Sequence, residues 1–247
     1  MFAVFSKELR LLFLSPLAWS LMAAMQLVLA WIFLVQMEQF LQIQPKLAGM
    51  EAAPGVTALV VAPLLDSAAV VIMLLVPLLT MGAISRETSQ GTVDLLFSSP
   101  VSMTAVIMGK YLAVLTLVAI LIVMIALMPF SLLLGTRPDI GLLAAALFGL
   151  LLVGAAVSAL GICFSGMTEQ PAVAAVLSYA LLLLLWIIDL SGSGESGSLW
   201  QQLSLSSHFR RMLSGLVSTA DIGYFCLLTM AALLVGIHRL EHIRSQG

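Results

Sequence analysis

The sequence predicts an all-α polytopic membrane protein with six transmembrane helices, and composition is the first reason. Of the 247 residues, 62% are hydrophobic and 9% are charged, whereas a soluble domain carries about 25% charged residues. Several apolar stretches reach the ~20 residues that a spanning helix needs, and none shows the short alternating pattern of a transmembrane barrel. No basic run suggests nucleic-acid binding. Cys163 and Cys226 are too isolated for a disulfide framework or a zinc site.

Residues 2–14 predict an N-terminal interfacial helix. Its apolar face carries Phe2, Phe5, Leu9, Leu12 and Phe13. Lys7 and Arg10 fall on another face, which suits a helix lying in the membrane interface. Pro16 separates this helix from the first span. The apolar stretch that follows exceeds the ~7–15 residues of a signal-peptide core, so we expect an uncleaved span.

Six apolar stretches predict the spans of a single domain, at about residues 17–37, 67–84, 105–128, 142–164, 172–188 and 222–237. The polar residues 38–57 predict an external loop, and 56–65 predict a shallow or re-entrant segment before the second span. The fourth span is rich in small residues, so we expect it in the bundle interior or at a subunit seam. Residues 207–217 predict an outer-face amphipathic helix capped by Ser207. Its polar side chains are His208, Arg210 and Arg211.

The positive charges predict which side of the membrane each end occupies. Six spans put both termini on one face, and with that face cytoplasmic, six of the ten Lys and Arg residues lie inside. The inside set is Lys7, Arg10, Arg86, Lys110, Arg239 and Arg244. The outside set is Lys46, Arg137, Arg210 and Arg211. This bias favours cytoplasmic termini and a cytoplasmic loop between the second and third spans.

That loop holds the segment 85–102, SRETSQGTVDLLFSSPVS, which interrupts the apolar pattern. The segment predicts a short helix that Pro100 ends. Gly91 gives the backbone conformational freedom at the start of this helix, and Asp94 lies on its polar side. The apolar face of that helix comprises Val93, Leu96 and Phe97. A helix this short is unstable alone and needs a surface. Two interpretations stay open: it rests on lipid, or it docks on a cytoplasmic partner.

Three short motifs match catalytic patterns in their residues but not in their sequence context. HRLEH, His238–His242, matches a zinc-peptidase pattern, but it ends a span without an obvious further ligand, so a cationic helix end is the simpler interpretation. GESG, Gly194–Gly197, matches the GxSG pattern of intramembrane serine proteases, but its Ser196 lies in a Gly/Ser linker. Residues 109–111 contain the Gly-Lys pair of a phosphate loop but lack its upstream glycine. The sequence therefore predicts no catalytic residue, metal site or ATPase motif in this chain. Asp66 and Asp189 flank spans, and their role stays open.

Residues 85–113 resemble the signature of ABC-2 type permeases: an acidic/arginine pair, Gly-Thr, an acidic residue, Leu-Leu, Ser-Pro and a later Gly-Lys. The matching residues are Arg86, Glu87, Gly91, Thr92, Asp94, Leu95, Leu96, Ser99, Pro100, Gly109 and Lys110. Residues 177–190 and 203–209 resemble the branch often associated with gliding motility. Asp94 stands where glutamate is commoner, and Arg210-Arg211 stand where that branch more often has acidic residues.

The resemblance implies the permease subunit of a bacterial ABC exporter or mechanotransmitter in the inner membrane, as one ABC-2 type transmembrane domain over 1–247. Two permease halves, identical or different, pair with two ATPase subunits. Those subunits bind the ATP and Mg²⁺, so this chain is expected to be neither an enzyme nor a cofactor carrier. The resemblance also accommodates a periplasmic partner, and it leaves the substrate open.

The resemblance further implies that loop 86–100 carries the coupling helix on which an ATPase docks. The coupling residues are then Arg86, Glu87, Gly91, Thr92, Val93, Asp94, Leu96, Phe97 and Pro100. The alternatives are an ATP-independent channel or carrier and, with less support, an intramembrane hydrolase. Co-purification with an ATPase separates the first function from the other two.

Overall fold

The computed structural model describes residues 1–47, 55–89, 91, 102–135, 139–191 and 203–246. Those residues form helices without a strand, and six helices are long and apolar enough to cross a membrane, which confirms the all-α polytopic class. In chain order the helices are α1 (Phe2–Leu14), α2 (Pro16–Leu47), α3 (Ala62–Thr80), α4 (Ser85–Ser89), α5 (Met103–Ser131), α6 (Ile140–Met167), α7 (Pro171–Ser191), α8 (Leu205–Leu213) and α9 (Thr219–Gln246). A π-helical turn, Thr57–Val61, leads into α3, and a 3₁₀ turn, Leu132–Leu134, follows α5.

The break between α1 and α2 is a single residue. Ser15 is extended, with φ −76° and ψ 118°, because the ring of Pro16 disfavours helical geometry in the residue before it. The Trp19 Nε1 donates to the Phe13 carbonyl oxygen at 2.7 Å across the break. The chain therefore passes from α1 into the first span through one extended residue.

Three boundaries differ from the sequence prediction. Helix α2 continues through residues 38–47, where a loop was predicted, because its Glu and Gln residues favour helix even though they are polar. Residues 57–65 belong to the helix of the second span and are not a separate lead-in. Helix α8 begins at Leu205, and Ser204 rather than Ser207 caps it by accepting from the Ser207 backbone N–H at 3.2 Å.

Helix α6 lies at the centre of the bundle, and its small residues explain why. It packs against α3, α5, α7, α8 and α9. A Cβ added to Gly154 would lie 2.6 Å from Val118 Cγ1 of α5, and one at Gly149 would lie 3.1 Å from Met212 of α8. The fourth span thus occupies the interior, which is one of the two places predicted for it.

Different helices pack at the two ends of the bundle. Near the C-terminal end of α6, a Cβ at Gly166 would lie within 4.0 Å of Ile84 and Leu240, so α4 and the end of α9 share this end with α1. We call it the terminal end. At the opposite end, the Asp139 backbone N–H donates to Thr57 Oγ1 at 2.9 Å, and α8 packs against α6.

Candidate functional site

A buried lysine joins three helices at the terminal end. Lys110 of α5 has a side chain only 3% exposed, and its Nζ lies 3.0 Å from Glu8 Oε1 of α1 and 2.9 Å from Glu87 Oε1 of α4. A buried ammonium is tolerated only when it is paired and hydrogen-bonded. We call Glu8, Glu87 and Lys110 the charge cluster. The charge cluster connects α1 and the start of the predicted coupling loop to the third span.

The glycine beside Lys110 lets α1 come close enough for this pairing. A Cβ at Gly109 would lie 2.9 Å from Val4 Cγ1 and 3.2 Å from the Phe5 backbone nitrogen. The first distance is shorter than real Cβ contacts and the second is tight, so any residue other than glycine would require α1 to shift. The Gly-Lys pair of the signature therefore has a structural role: the glycine admits α1 and the lysine holds it.

Helix α4 is also fixed to the central helix, through Ser165. The Ser165 Oγ accepts from the backbone N–H groups of Ile84 and Ser85 at 2.9 and 3.2 Å, and it donates to the Met81 carbonyl oxygen at 2.8 Å. These bonds satisfy backbone groups exposed by the turn between α3 and α4. Sequence reasoning missed Ser165, whose only signal was a polar residue at the end of an apolar span.

The remaining predicted coupling residues divide into described and undescribed ones. Arg86 is exposed, and its Nε lies against the position that an added Cβ at Gly82 would take. Gly91 has a φ of +67°, a backbone conformation that favours glycine. Helix α5 begins after the loop, where Ser102 Oγ accepts from the Ala105 backbone N–H at 3.3 Å. The others lie outside the described residues: Thr92, Val93, Asp94, Leu96, Phe97 and Pro100.

A second polar network lies at the opposite end, around an aspartate that sequence reasoning missed. Asp221 of α9 is fully buried, and its Oδ1 lies 2.6 Å from His208 Nδ1 and 2.5 Å from Arg211 Nη2, both on α8. The His208 ring stacks on Tyr224 with centroids 4.2 Å apart. We call Asp221, His208 and Arg211 the aspartate network. The available signal was an acidic residue at the start of the last span.

Two other predicted residues meet at the same end, more loosely. Arg210 Nε lies 4.0 Å from Asp66 Oδ1, and both side chains are largely exposed. Exposed pairs contribute only about 0–1 kcal/mol. Nothing is described of the Asp189 side chain. Across the described residues, no three His, Cys, Asp or Glu side chains group closely enough to hold a metal ion, and these residues include His238 and His242.

Comparison with known proteins identifies the family. Residues 2–242 match the family described as "ABC-2 family transporter protein", which covers nearly the whole chain. No curated protein matches the chain at a significant level. Proteins of this family are transmembrane subunits and are not themselves ATPases. With six spans and a signature whose Glu87 and Lys110 are in contact, the chain belongs to the ABC-2 transporter family and is a multi-pass permease subunit of an ABC-type system.

Proposed function

We propose that this chain is the permease half of an ABC exporter or mechanotransmitter, driven by a separate ATPase that docks on loop 86–100. The charge cluster is the observation that supports this most directly. Glu87 lies at the start of that loop and is bonded to Lys110, which is bonded to Glu8. A force applied to the loop therefore reaches α1 and α5 through charge-assisted bonds.

In this proposal the apolar face of the loop helix enters a groove on the ATPase. Phe97 is its largest side chain, and burying such a side chain is worth ~1.5–3 kcal/mol. Replacing Phe97 by alanine should weaken assembly about ten-fold, because ~1.4 kcal/mol corresponds to a factor of ten. The ATP and Mg²⁺ belong to the partner subunit, and the permease is expected to pair with a second permease, identical or different.

The test is co-purification from native membranes in a mild detergent. The full-length chain carries an affinity tag, and the eluate is assayed for a Walker-motif ATPase by mass spectrometry and for Mg²⁺-dependent ATP hydrolysis. Phe97→Asp should abolish recovery of the ATPase, and Phe97→Leu, which keeps the apolar character, should retain it. Equal recovery with both variants would show that the segment rests on lipid instead. Transport by the purified chain without any ATPase would favour a channel or carrier.

A further inference from the structure

A cavity of about 430 Å³ opens at the terminal end, between α1, the start of α2, the end of α3, α4 and α5. Its size falls in the range of roughly 300–1,000 Å³ that is typical of small-ligand sites. One part of its wall is charged and consists of Glu8, Arg86, Glu87 and Lys110. The other part is apolar and includes Leu11, Leu12, Leu17, Leu78, Leu79 and Val114. A wall divided in this way fits an amphiphile.

The rim of the cavity is apolar where α1 meets α2. Leu11 and Leu17 both line the cavity, and they are 52% and 44% exposed. Helix α1 has no buried residue and exposes Phe2 and Leu14 as well, which is typical of a helix in the membrane interface. The cavity therefore opens where lipid headgroups and the first acyl carbons are found.

The charges of the wall specify the kind of headgroup. In the charge cluster, two carboxylates face one ammonium, so the cluster keeps a net negative charge. Beside it, Arg86 forms no ion pair with any described residue. The four lining charges sum to zero, with one net negative charge on the charge cluster and one positive charge on Arg86. Such a wall complements a ligand that carries both a phosphate and a cation.

We propose that this cavity binds one phosphatidylethanolamine molecule. Its phosphate accepts from the Arg86 guanidinium, its primary ammonium donates to Glu8, and its acyl chains follow the leucines of α1 and α3. A carboxylate has about four lone-pair sites, so the bond from Lys110 leaves Glu8 able to accept from a second ammonium. A choline headgroup has no N–H to donate, and an anionic headgroup brings negative charge beside two carboxylates. The proposal does not rest on the proposed function, but Arg86 and Glu87 also belong to the predicted coupling loop, so a docked ATPase is the competing occupant of this cavity.

The test is lipid retention by the full-length chain in detergent, measured by native mass spectrometry. Phosphatidylethanolamine, phosphatidylcholine and phosphatidylglycerol with identical acyl chains are titrated separately. We expect phosphatidylethanolamine to bind about ten-fold more tightly than either of the others, a difference of ~1.4 kcal/mol. Equal affinity for all three lipids would overturn the proposal. Preference for phosphatidylglycerol would overturn it as well, because it would indicate a simple anion site at Arg86.

Substitutions in the cavity wall test whether phosphatidylethanolamine binds at the proposed side chains. Arg86→Gln and Glu8→Gln should each weaken phosphatidylethanolamine binding about ten-fold or more, equivalent to at least ~1.4 kcal/mol. Arg10→Gln is the matched control, because Arg10 is an exposed cation on α1, the helix of Glu8, and does not line the cavity. Equal effects of Arg10→Gln and Arg86→Gln would contradict the assignment.

Glu8→Gln also removes a partner of Lys110 and so risks misfolding. Ala83→Phe avoids this, because Ala83 lines the cavity without contributing a charge. It should abolish lipid retention while size-exclusion behaviour and helix content stay unchanged, and full retention by this variant would overturn the proposal. A competing occupant is tested on the chain purified with its ATPase. Loss of the lipid on assembly would assign the cavity to protein contact instead.

Discussion

Lys110 Nζ lies 2.9 Å from Glu87 Oε1, so the two ends of the signature stretch, 23 positions apart in sequence, are in direct contact. Helix α4 ends at Ser89 and α5 begins at Met103, so the predicted coupling loop lies between the two residues of this ion pair in sequence. The pair therefore closes the base of the predicted coupling loop, and Glu8 adds the N-terminal helix to the same junction.

Removing the lysine should be more damaging than removing the whole cluster. Lys110→Met leaves the carboxylates of Glu8 and Glu87, which are 15% and 23% exposed, without their cation. An unpaired charge that is fully buried costs about 3–5 kcal/mol, so we expect a loss below that range. The triple variant Lys110→Met/Glu8→Gln/Glu87→Gln should recover part of that loss. Thermal unfolding in detergent measures both. Lys7→Met, at an exposed position on α1, is the control, and equal melting temperatures for it and Lys110→Met would contradict this account.

Gly109 should not tolerate even one methyl group. Gly109→Ala places a Cβ 2.9 Å from Val4 Cγ1, and overpacking of this kind costs about 1–3 kcal/mol. Gly223→Ala of α9 is the matched control, because no atom lies within 4 Å of its added Cβ. There the helix should gain up to about 1 kcal/mol. Melting temperatures should therefore shift in opposite directions, and a gain at both positions would contradict the close approach of α1.

Asp221 should control whether α8 stays in place. Asp221→Asn removes the charge that holds His208 and Arg211, so α8 should open more often. Ser206→Cys, at a buried position of α8, reports this in a background lacking Cys163 and Cys226. Its labelling rate should rise at least about ten-fold, equivalent to ~1.4 kcal/mol. Asp66→Asn is the control, since its pair is exposed and 4.0 Å long. Equal rates in both variants would show that Asp221 does not hold the helix.

Cysteine labelling also tests the predicted orientation. Arg210 is 59% exposed in its side chain, so Arg210→Cys should react readily with a membrane-impermeant thiol reagent. With cytoplasmic termini, the residue should label from the periplasmic side. Arg239→Cys, near the end of α9, should react with the same reagent only after the membrane has been permeabilised. Reversed labelling of the two positions would invert the topology.

The seam between two permeases should involve the first and fifth spans. Among the six candidate spans of the described residues, α2 and α7 have the smallest share of buried residues, so they have the most room for a partner helix. In a cysteine-free background and under mild chemical oxidation, Leu27→Cys on α2 should form a disulfide between two copies of the chain. Val123 on α5 is 62% exposed, against 72% for Leu27, but it lies on another span, so Val123→Cys should not cross-link. Cross-linking at Val123 alone would place the seam elsewhere.

The sequence predicted the number of spans but not the polar contacts between the helices. Span number followed from apolar length, because lipid imposes a single requirement on each helix. The pairing of Glu8 with Lys110 could not be predicted, since the two residues are 102 positions apart and only the packing of α1 against Gly109 brings them together. Asp221 was likewise missed, because its partners lie on a short helix that no periodicity places beside α9.

Ser165 gives the central helix a mechanical consequence. It fixes α4 to one end of α6, while Leu142, near the other end of α6, lies 3.8 Å from the position of an added Cβ at Gly215, just beyond α8. These two points are 23 residues apart on one unbroken helix, or about 35 Å at 1.5 Å per residue. A helix of this length is stiff and bends only gently. A displacement imposed on α4 would therefore reach α8 as the tilt or slide of a single rod, so that both faces of the membrane would move in the same step.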